Sequence, residues 1–461
     1  MNYEKLNLKI GLEVHSQINS HKLFCKCPSK LSEGNPDLTV KRKLRAVESE
    51  IGEEDKAAVF EMLKNKEGLY EIFNESSCLI ELDEEPILEI NKDALKTVLT
   101  VAKMMNCSIA DELIMMRKQV LDYSNTSGFQ RTGLLARNGY INIGNNVIEI
   151  ESICIEEDAA RKIKEDSKNI FYRLDRLGIP LIEIATAPDI KTPEEAREVA
   201  AHIGMILKST GKFKSGLGTI RQDLNVSINN GTRVEIKGVQ DLRYIPKIIE
   251  NEVKRQLEII NKRKKVNSEV RKVEDDLTTS FLRPMPGASR MYVETDIPEI
   301  NTKELIKEIK IPRLISDNVN KLIKKGLRED LAKEVAKKDI DLEIYGIDIK
   351  TVADVLIERP KEIKRRFKID VKKENLDKVL ELLKDKKINK DIVVDVLIDL
   401  ENDKFDVSKY KKIDVKIIEN EVKSLIKNNL SVKAMMGILM GKYKGKISGK
   451  ELIEIIKKYE K

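Results

Sequence analysis

At positions 221–237 the chain reads RQDLNVSINNGTRVEIK, two alternating runs joined by Asn229-Asn230-Gly231. Alternation with period two makes a strand with one buried face, and Asn-Gly between two such runs closes a hairpin. Leu224, Val226, Ile228, Val234 and Ile236 share the apolar face. Arg221, Asp223, Asn225 and Ser227 occupy the other, with Arg233, Glu235 and Lys237 at the same parity in the second run. Such a sheet must cover its apolar side and present a dense array of charge on the opposite side. That array can hold phosphates, a divalent cation and a reacting carboxylate, or it can pair its own charges across the strands.

The same period governs LKIGLEVHSQI, where Leu8, Ile10, Leu12 and Val14 alternate with Lys9, Glu13, His15 and Gln17. Glu13 and His15 therefore share a face, about 7 Å apart, and can share a cation. Residues 148–161 gather Glu149, Glu151, Glu156, Glu157 and Asp158, and PLIEI sets Glu183 in an apolar strand. A lone carboxylate there requires a cation, a donor cluster or an open cleft, with Arg173 or Arg176 as a purely structural partner. Oxygen ligands with one imidazole suit Mg²⁺ better than Zn²⁺. Cys25-x-Cys27 has no second Cys pair after it, so zinc is not expected, and the five scattered cysteines read as free thiols.

Thr192-Pro193-Glu194-Glu195 caps a helix that Gly211 ends, and His202 on it is scaffold. No G-x-x-x-x-G-K-[ST] occurs, so ATP, if used, is not held by a P-loop. Without G-x-S-x-G, and with only His15, His21 and His202, self-contained glutamine hydrolysis is not expected.

A chain of 461 residues exceeds one ordinary domain. Up to about residue 300 the pattern is strands and turns; beyond it, short amphipathic helices. Residues 301–461 carry 40 Lys+Arg against 30 Asp+Glu, so the basic excess of the chain lies there, where it would draw a polyanion or form an ordinary solvated helical face. The polar stretch 401–413 reads as a link. The expected organisation is α+β: a catalytic domain over 1–300, a helical domain over 301–405 and a helical tail over 406–461. No run of about 18 apolar residues and no signal-peptide pattern is present, so a cytoplasmic protein without a membrane association is expected.

IGLEVHSQI, KLFCKCP, YSNTSGFQRTGLLARNGYI, IEEDAAR, DRLGIPLIEIATAPDI, GLGTIRQDLNVSI, VEIKGVQDL and RPMPGASRMYVETDIP, in that order, resemble the GatB/GatE family of tRNA-dependent amidotransferase subunits. FQRT at 129–132 and PMPGASRMYVETD at 284–296 are similar to the archaeal GatE branch. The resemblance implies an antiparallel β-rich cradle, a helical domain and a small tail similar to the YqeY family. It implies ATP and Mg²⁺ as cofactors and conversion of Glu-tRNA(Gln) to Gln-tRNA(Gln), by phosphorylating the Glu side chain and amidating it. Ammonia would come from GatD, an asparaginase-like glutaminase, in a heterotetramer of two GatD and two GatE.

Carried over motif by motif, the resemblance gives the Mg²⁺ to His15, Glu157 and Glu183, with Glu13 and Glu156 near a second ion. Arg221, Asp223, Asn225, Glu235 and Lys237 would contact phosphate, metal or substrate, and Ser124, Asn125 and Thr126 would line the pocket or an ammonia path. Lys442, Lys444 and Lys446 would meet tRNA phosphates. One departure stands out: the GatE branch carries a large domain, related to one in bacterial aspartyl-tRNA synthetases, before the PMPGA segment, where this chain has only residues 261–282. Two other readings remain: a GatB-like subunit working with GatA and also serving Asp-tRNA(Asn), and a non-catalytic tRNA-binding scaffold.

Overall fold

The computed structural model describes residues 1–48, 52–216, 218–287, 290–338, 340–407, 414–427, 430–443, 446–447 and 449–459. Two compact units follow one another, Met1–Leu314 and Ile315–Lys461.

The first unit is built on a large sheet whose strands are β1 (Lys9–Gln17), β2 (Met115–Gln119), β3 (Phe129–Ile143), β4 (Asn146–Glu157), β5 (Pro180–Thr186), β6 (Ile220–Ser227), β7 (Val234–Val239), β8 (Glu269–Val273), β9 (Thr279–Pro284) and β10 (Met291–Val293). Their spatial order is β9-β8-β7-β6-β1-β5-β4-β3-β2-β10, with the short pair Ser108–Ile109 beside β3. Neighbours run antiparallel except β7 and β8. A smaller mixed sheet joins Leu38–Arg42, Glu67–Ile72, Asn169–Arg173 and Arg161–Glu165. The architecture is α+β.

The apolar parity of β1 does what its period requires: Leu8, Ile10, Leu12 and Val14 are each at most 1% exposed. With Leu224, Val226, Val234 and Ile236 they form one core with α2 (Lys92–Met104), α3 (Pro193–Ser209) and α4 (Ile245–Asn261), while α1 (Lys56–Leu63) stands apart from that cluster. Helices thus close one face of the sheet and leave the other to polar side chains. Helix α3 starts where its capping residues lie: the Thr192 hydroxyl accepts the Glu195 N–H at 3.2 Å. The Glu195 side chain reaches one residue further back than a capping box, to the Lys191 N–H at 2.8 Å. Gly211 follows the helix at φ +66°, a conformation glycine adopts without a Cβ penalty. His202 is half-buried on this helix.

The β6–β7 hairpin pairs Val226 with Val234, so its loop is wider than a two-residue Asn-Gly turn. The Asn229 N–H is drawn to the Leu6 carbonyl at 2.9 Å, and Asn230 takes φ +61°. In β3, a Cβ at Gly139 would lie 2.6 Å from the Met105 carbonyl and collide with the Cys107 sulfur. Gly139→Ala is therefore expected to destabilise the unit by about 1–3 kcal/mol. The check is a lower urea midpoint at unchanged slope.

The second unit is helical. The helices from Ile315–Lys324 to Val393–Glu401 surround a core that includes Val335, Val352, Val379 and Val396. Val415–Lys427, Val432–Lys442 and Gly449–Tyr459 surround a separate cluster around Ile418, Leu439 and Leu452.

Candidate active site

Strand register gathers the polar face into a cleft of about 910 Å³. On adjacent strands His15 lies opposite both Glu183 and Arg221, Glu13 opposite Asp223, and Leu181 opposite Glu156. Around β1, β4 and β5 the His15 Nε2 is 3.1 Å from Glu183 Oε2, and the Lys118 Nζ of β2 lies 2.5 Å from Glu156 Oε1 and 3.6 Å from Glu183 Oε2. Thr132 Oγ1 donates to Glu156 Oε1 at 2.9 Å and Gln130 Nε2 to its other oxygen at 3.2 Å. Donor atoms of His15, Glu156 and Glu183 all lie within 4.8 Å of one another. A second group, Glu13, Asp223 and Glu235, meets the same limit. There Lys237 Nζ lies 2.7 Å from Asp223 and 2.6 Å from Glu235, and Asn225 Nδ2 donates to Glu13 at 3.1 Å.

The charges divide the cleft. Burial disfavours ionisation of Glu183, but the Lys118 ammonium and the His15 hydrogen bond outweigh it and hold Glu183 well below the usual carboxylate range. Burial also opposes charge on His15, and Glu183 more than offsets this, raising the imidazole. Glu13 goes the other way: burial, then the nearby Glu235 and Glu183 carboxylates, raise it. Asp223 is held low against burial mainly by Lys237, whose own pKa rises because Asp223 and Glu235 face it. An ammonium lodged between carboxylates marks each group as a place where positive charge is stabilised. The oxygen-rich sets, one with an imidazole, fit Mg²⁺ with waters completing its six positions.

At one end of the cleft Asp158, with its side chain 1% exposed, accepts Gln17 Nε2 at 2.6 Å, Arg221 at 2.8 Å and the Ala159 N–H at 2.8 Å. Burial disfavours the Asp158 carboxylate, but Arg221 and Arg176 outweigh this and lower its pKa. Asp158→Ala removes the partner of Arg221, whose side chain is a third exposed to the cleft, and should cost about 1–3 kcal/mol. Because the folded pKa is depressed, this contribution is present above the unfolded value of about 3.9 and is lost as pH falls through the folded pKa. Urea titrations should show wild-type stability declining below about pH 4 more than that of Asp158→Ala.

Of the residues expected from sequence, Glu13, His15, Glu156, Glu183, Arg221, Asp223, Glu235 and Lys237 line the cleft, and Asn225 braces Glu13 from beside it. Glu157 is not brought to them. It points to the opposite side of β4, 3.3 Å from Arg131, into a small cavity that Asn125 and Thr126 also line. Burial raises its pKa despite Arg131. Ser124 is buried in the same bend, its carbonyl accepting the Ala160 N–H at 2.8 Å. Arg173 and Arg176 do not partner Glu183: Arg173 binds Glu71 at 2.6 Å, and Arg176 donates to the Ala159 and Ala160 carbonyls at 2.8 Å. Lys442 and Lys446 belong to the second unit, where Lys442 pairs with Glu421; Lys444 lies outside the described residues.

Sequence reasoning missed Lys118, Gln130, Thr132 and Arg290, all near the first carboxylate group. The parity of β2 places Lys118 on the face opposite Arg117, but nothing in MMRKQ marks that face as the cleft. Arg290 enters from the PMPGASR segment, whose Gly287 N–H is held by Asp55 at 2.7 Å.

A family model described as the GatB/GatE catalytic domain matches residues 8–308. A protein of Methanocaldococcus jannaschii, named as the E-type subunit of glutamyl-tRNA(Gln) amidotransferase, is 36% identical over 623 aligned positions, covering 99% of this chain and 99% of its own. A protein of the same name from Saccharolobus solfataricus is 33% identical over 627 positions, covering 99% and 98%. The relative of that name from Sulfolobus acidocaldarius is 48% identical over 331 positions, covering 71% of this chain and 48% of its own. Alignments longer than the 461 residues of this chain mean that the first two relatives carry segments with no counterpart here. Residues 261–282 run from the end of α4 into the closed β8–β9 hairpin on the sheet edge.

Proposed function

The chain belongs to the GatB/GatE family, and from that premise we propose that it is the subunit that converts Glu-tRNA(Gln) to Gln-tRNA(Gln) with ATP. A carboxylate resists attack by ammonia because it already carries the charge that attack would add and has no leaving group. In the proposed sequence a side-chain carboxylate oxygen of the tRNA-bound Glu attacks the γ-phosphorus of ATP and ADP departs. Ammonia then adds to the acyl carbon, phosphate leaves with that oxygen, and a proton is lost. Catalysis of this kind rests on positioning and charge neutralisation.

The observation that carries the reading is one cleft of about 910 Å³ holding two cation-ready carboxylate groups alongside Arg221, Lys237 and Arg290. His15, Glu156 and Glu183 would hold one Mg²⁺, with Glu13, Asp223 and Glu235 able to hold another. Glu156 replaces Glu157 in the first set because its side chain is on the cleft face. Bound Mg²⁺ would supply charge neutralisation at the phosphoryl group. Lys118 must then yield Glu156 and Glu183 to the ion and remains close enough to meet phosphate oxygens. Arg221, Lys237 and Arg290 supply further positive charge for the nucleotide.

Ammonia is assigned to a separate asparaginase-like glutaminase of the GatD type, in an assembly of two copies of each subunit in the cytoplasm. Among the described residues no helix is long and apolar enough to cross a membrane. Co-purification tests the partner: an asparaginase-like protein supports the assignment, and an amidase-type partner moves the chain to the GatB-like reading. In the tail, the double substitution Lys442→Ala, Lys446→Ala should raise KM for tRNA several-fold at unchanged kcat. It should also lower the salt dependence of tRNA binding by roughly one to two contacts, as measured by titration at several salt concentrations.

A further inference from the structure

Strands β9 and β10 stand at opposite ends of the large sheet, yet only residues 285–290 separate them in the chain. Laid flat, strands about 4.8 Å apart would set them about 43 Å from one another, whereas the chain from Arg283 to Arg290 reaches at most about 25 Å. The sheet therefore curls round its polar face, and Arg283 and Arg290 both line the cleft. They differ from the other cations there. Every other lysine or arginine lining the cleft has a carboxylate within 3.9 Å, as Lys118 has Glu156 and Arg221 has Asp158. Among the described residues neither Arg283 nor Arg290 has a carboxylate partner, and Arg283 Nε is buried with no acceptor. Arg290 also repels the Lys118 ammonium. A buried N–H without a partner and two like charges facing each other are both costs that a bound anion removes.

The segment that carries the two arginines is held on both sides. The Gly287 N–H donates to Asp55 Oδ2 at 2.7 Å, and Asp55, 2% exposed, also caps α1 by accepting the Ala57 and Ala58 N–H groups at 3.0 Å. Beyond Arg290, β10 pairs with β2, and Glu294 is gripped by Arg117 at 2.6 Å and Arg131 at 2.9 Å. We propose that Arg283 and Arg290 are a pair of phosphate-binding forks, and that Asp55 is the positioning residue that holds the segment between them. Within the phosphoryl-transfer reading of the cleft, on which this rests, the ligand is a substrate phosphate: the triphosphate of the nucleotide or the phosphodiesters of the tRNA 3′ end. A guanidinium meets two phosphate oxygens at once, which an ammonium does not. Lys118 and Lys237 are engaged by the metal-binding carboxylates, so this pair supplies the uncommitted positive charge.

The experiment is equilibrium binding of tripolyphosphate with Mg²⁺, ATP with Mg²⁺, and tRNA to the purified assembly. Arg283→Met and Arg290→Met should each weaken the same substrate by roughly 10- to 100-fold. Arg→Lys at either position should recover only part of this, because it keeps the charge and loses the fork, and it carries the comparison where a Met variant fails to fold. A loss for ATP that tripolyphosphate shares identifies the triphosphate as the ligand, and a loss confined to tRNA identifies the phosphodiesters. Asp55→Asn keeps a good helix cap but turns one acceptor into a donor. It should weaken the same substrate several-fold in wild type and have no further effect in the Arg283→Met, Arg290→Met double variant; equal losses in both backgrounds would overturn its positioning role. Tripolyphosphate held through these arginines by an assembly that binds neither ATP nor tRNA would keep the pair and contradict the phosphoryl-transfer reading. Arginine variants that bind all three probes as tightly as wild type, or a wild type that binds none, overturn the proposal.

Discussion

Glu183→Gln is expected to lower Gln-tRNA formation by roughly 10²–10³-fold, mainly in kcat, while tRNA affinity stays near wild type. The substitution keeps the shape of the side chain and removes its charge. It takes one anionic ligand from the His15, Glu156 and Glu183 group, removes a partner of Lys118, and leaves His15 facing a neutral amide. Because the tail residues assigned to tRNA are in a different unit, binding and turnover should separate. A gel-shift titration with tRNA beside a single-turnover assay makes the comparison. Loss of both in parallel would mean that Glu183 acts through the fold.

Lys237→Met should be the second most damaging change, reducing turnover by roughly 10²-fold and weakening ATP more than tRNA. Lys237 neutralises Asp223 and Glu235 at 2.7 and 2.6 Å, with Glu13 close by. Without it, three carboxylates face one another with no ammonium among them. Raised Mg²⁺ should then recover part of the activity, because the ion can take over the neutralising charge. Titrating the variant with Mg²⁺ at fixed ATP checks this. No recovery would assign Lys237 to direct contact with the nucleotide phosphates.

Much of this cleft could be read from period alone. Glu13, His15, Asp223, Glu235 and Lys237 lie on regular stretches of β1, β6 and β7, so counting by two from a buried residue gives the correct face. Glu156 and Glu157 defeat that count. In β4, Ile148 and Ile150 are core residues, and continuing their parity would send Glu157 to the cleft. Ile150 lies opposite Thr186 and Ser152 opposite Ala185, so Glu151 is an extra residue and the parity flips. From there Ile153 and Ile155 enter the core while Cys154 and Glu156 face the cleft. A one-residue bulge therefore decides which carboxylate belongs to the site, and no local residue pattern announced it.

Lys118 and Arg290 were illegible for a different reason. Both depend on pairings between segments distant in the chain: Lys118 meets Glu156 across β3, and Arg290 reaches the cleft because β10 pairs with β2. The helical second unit was visible from its amphipathic pattern, since its cores at Val335 and Val396 are built from the i, i+3, i+4 positions of short helices.

The central claim is that the cleft activates the Glu side chain by phosphoryl transfer, and oxygen labelling tests it most directly. Glu-tRNA(Gln) carrying ¹⁸O in the side-chain carboxylate is incubated with ATP, Mg²⁺, glutamine and the chain assembled with its glutaminase partner. One ¹⁸O should appear in inorganic phosphate for each Gln-tRNA formed, because the carboxylate oxygen that attacks phosphorus leaves with it. Gln-tRNA accumulating with unlabelled phosphate, or with the label in AMP, would contradict the account.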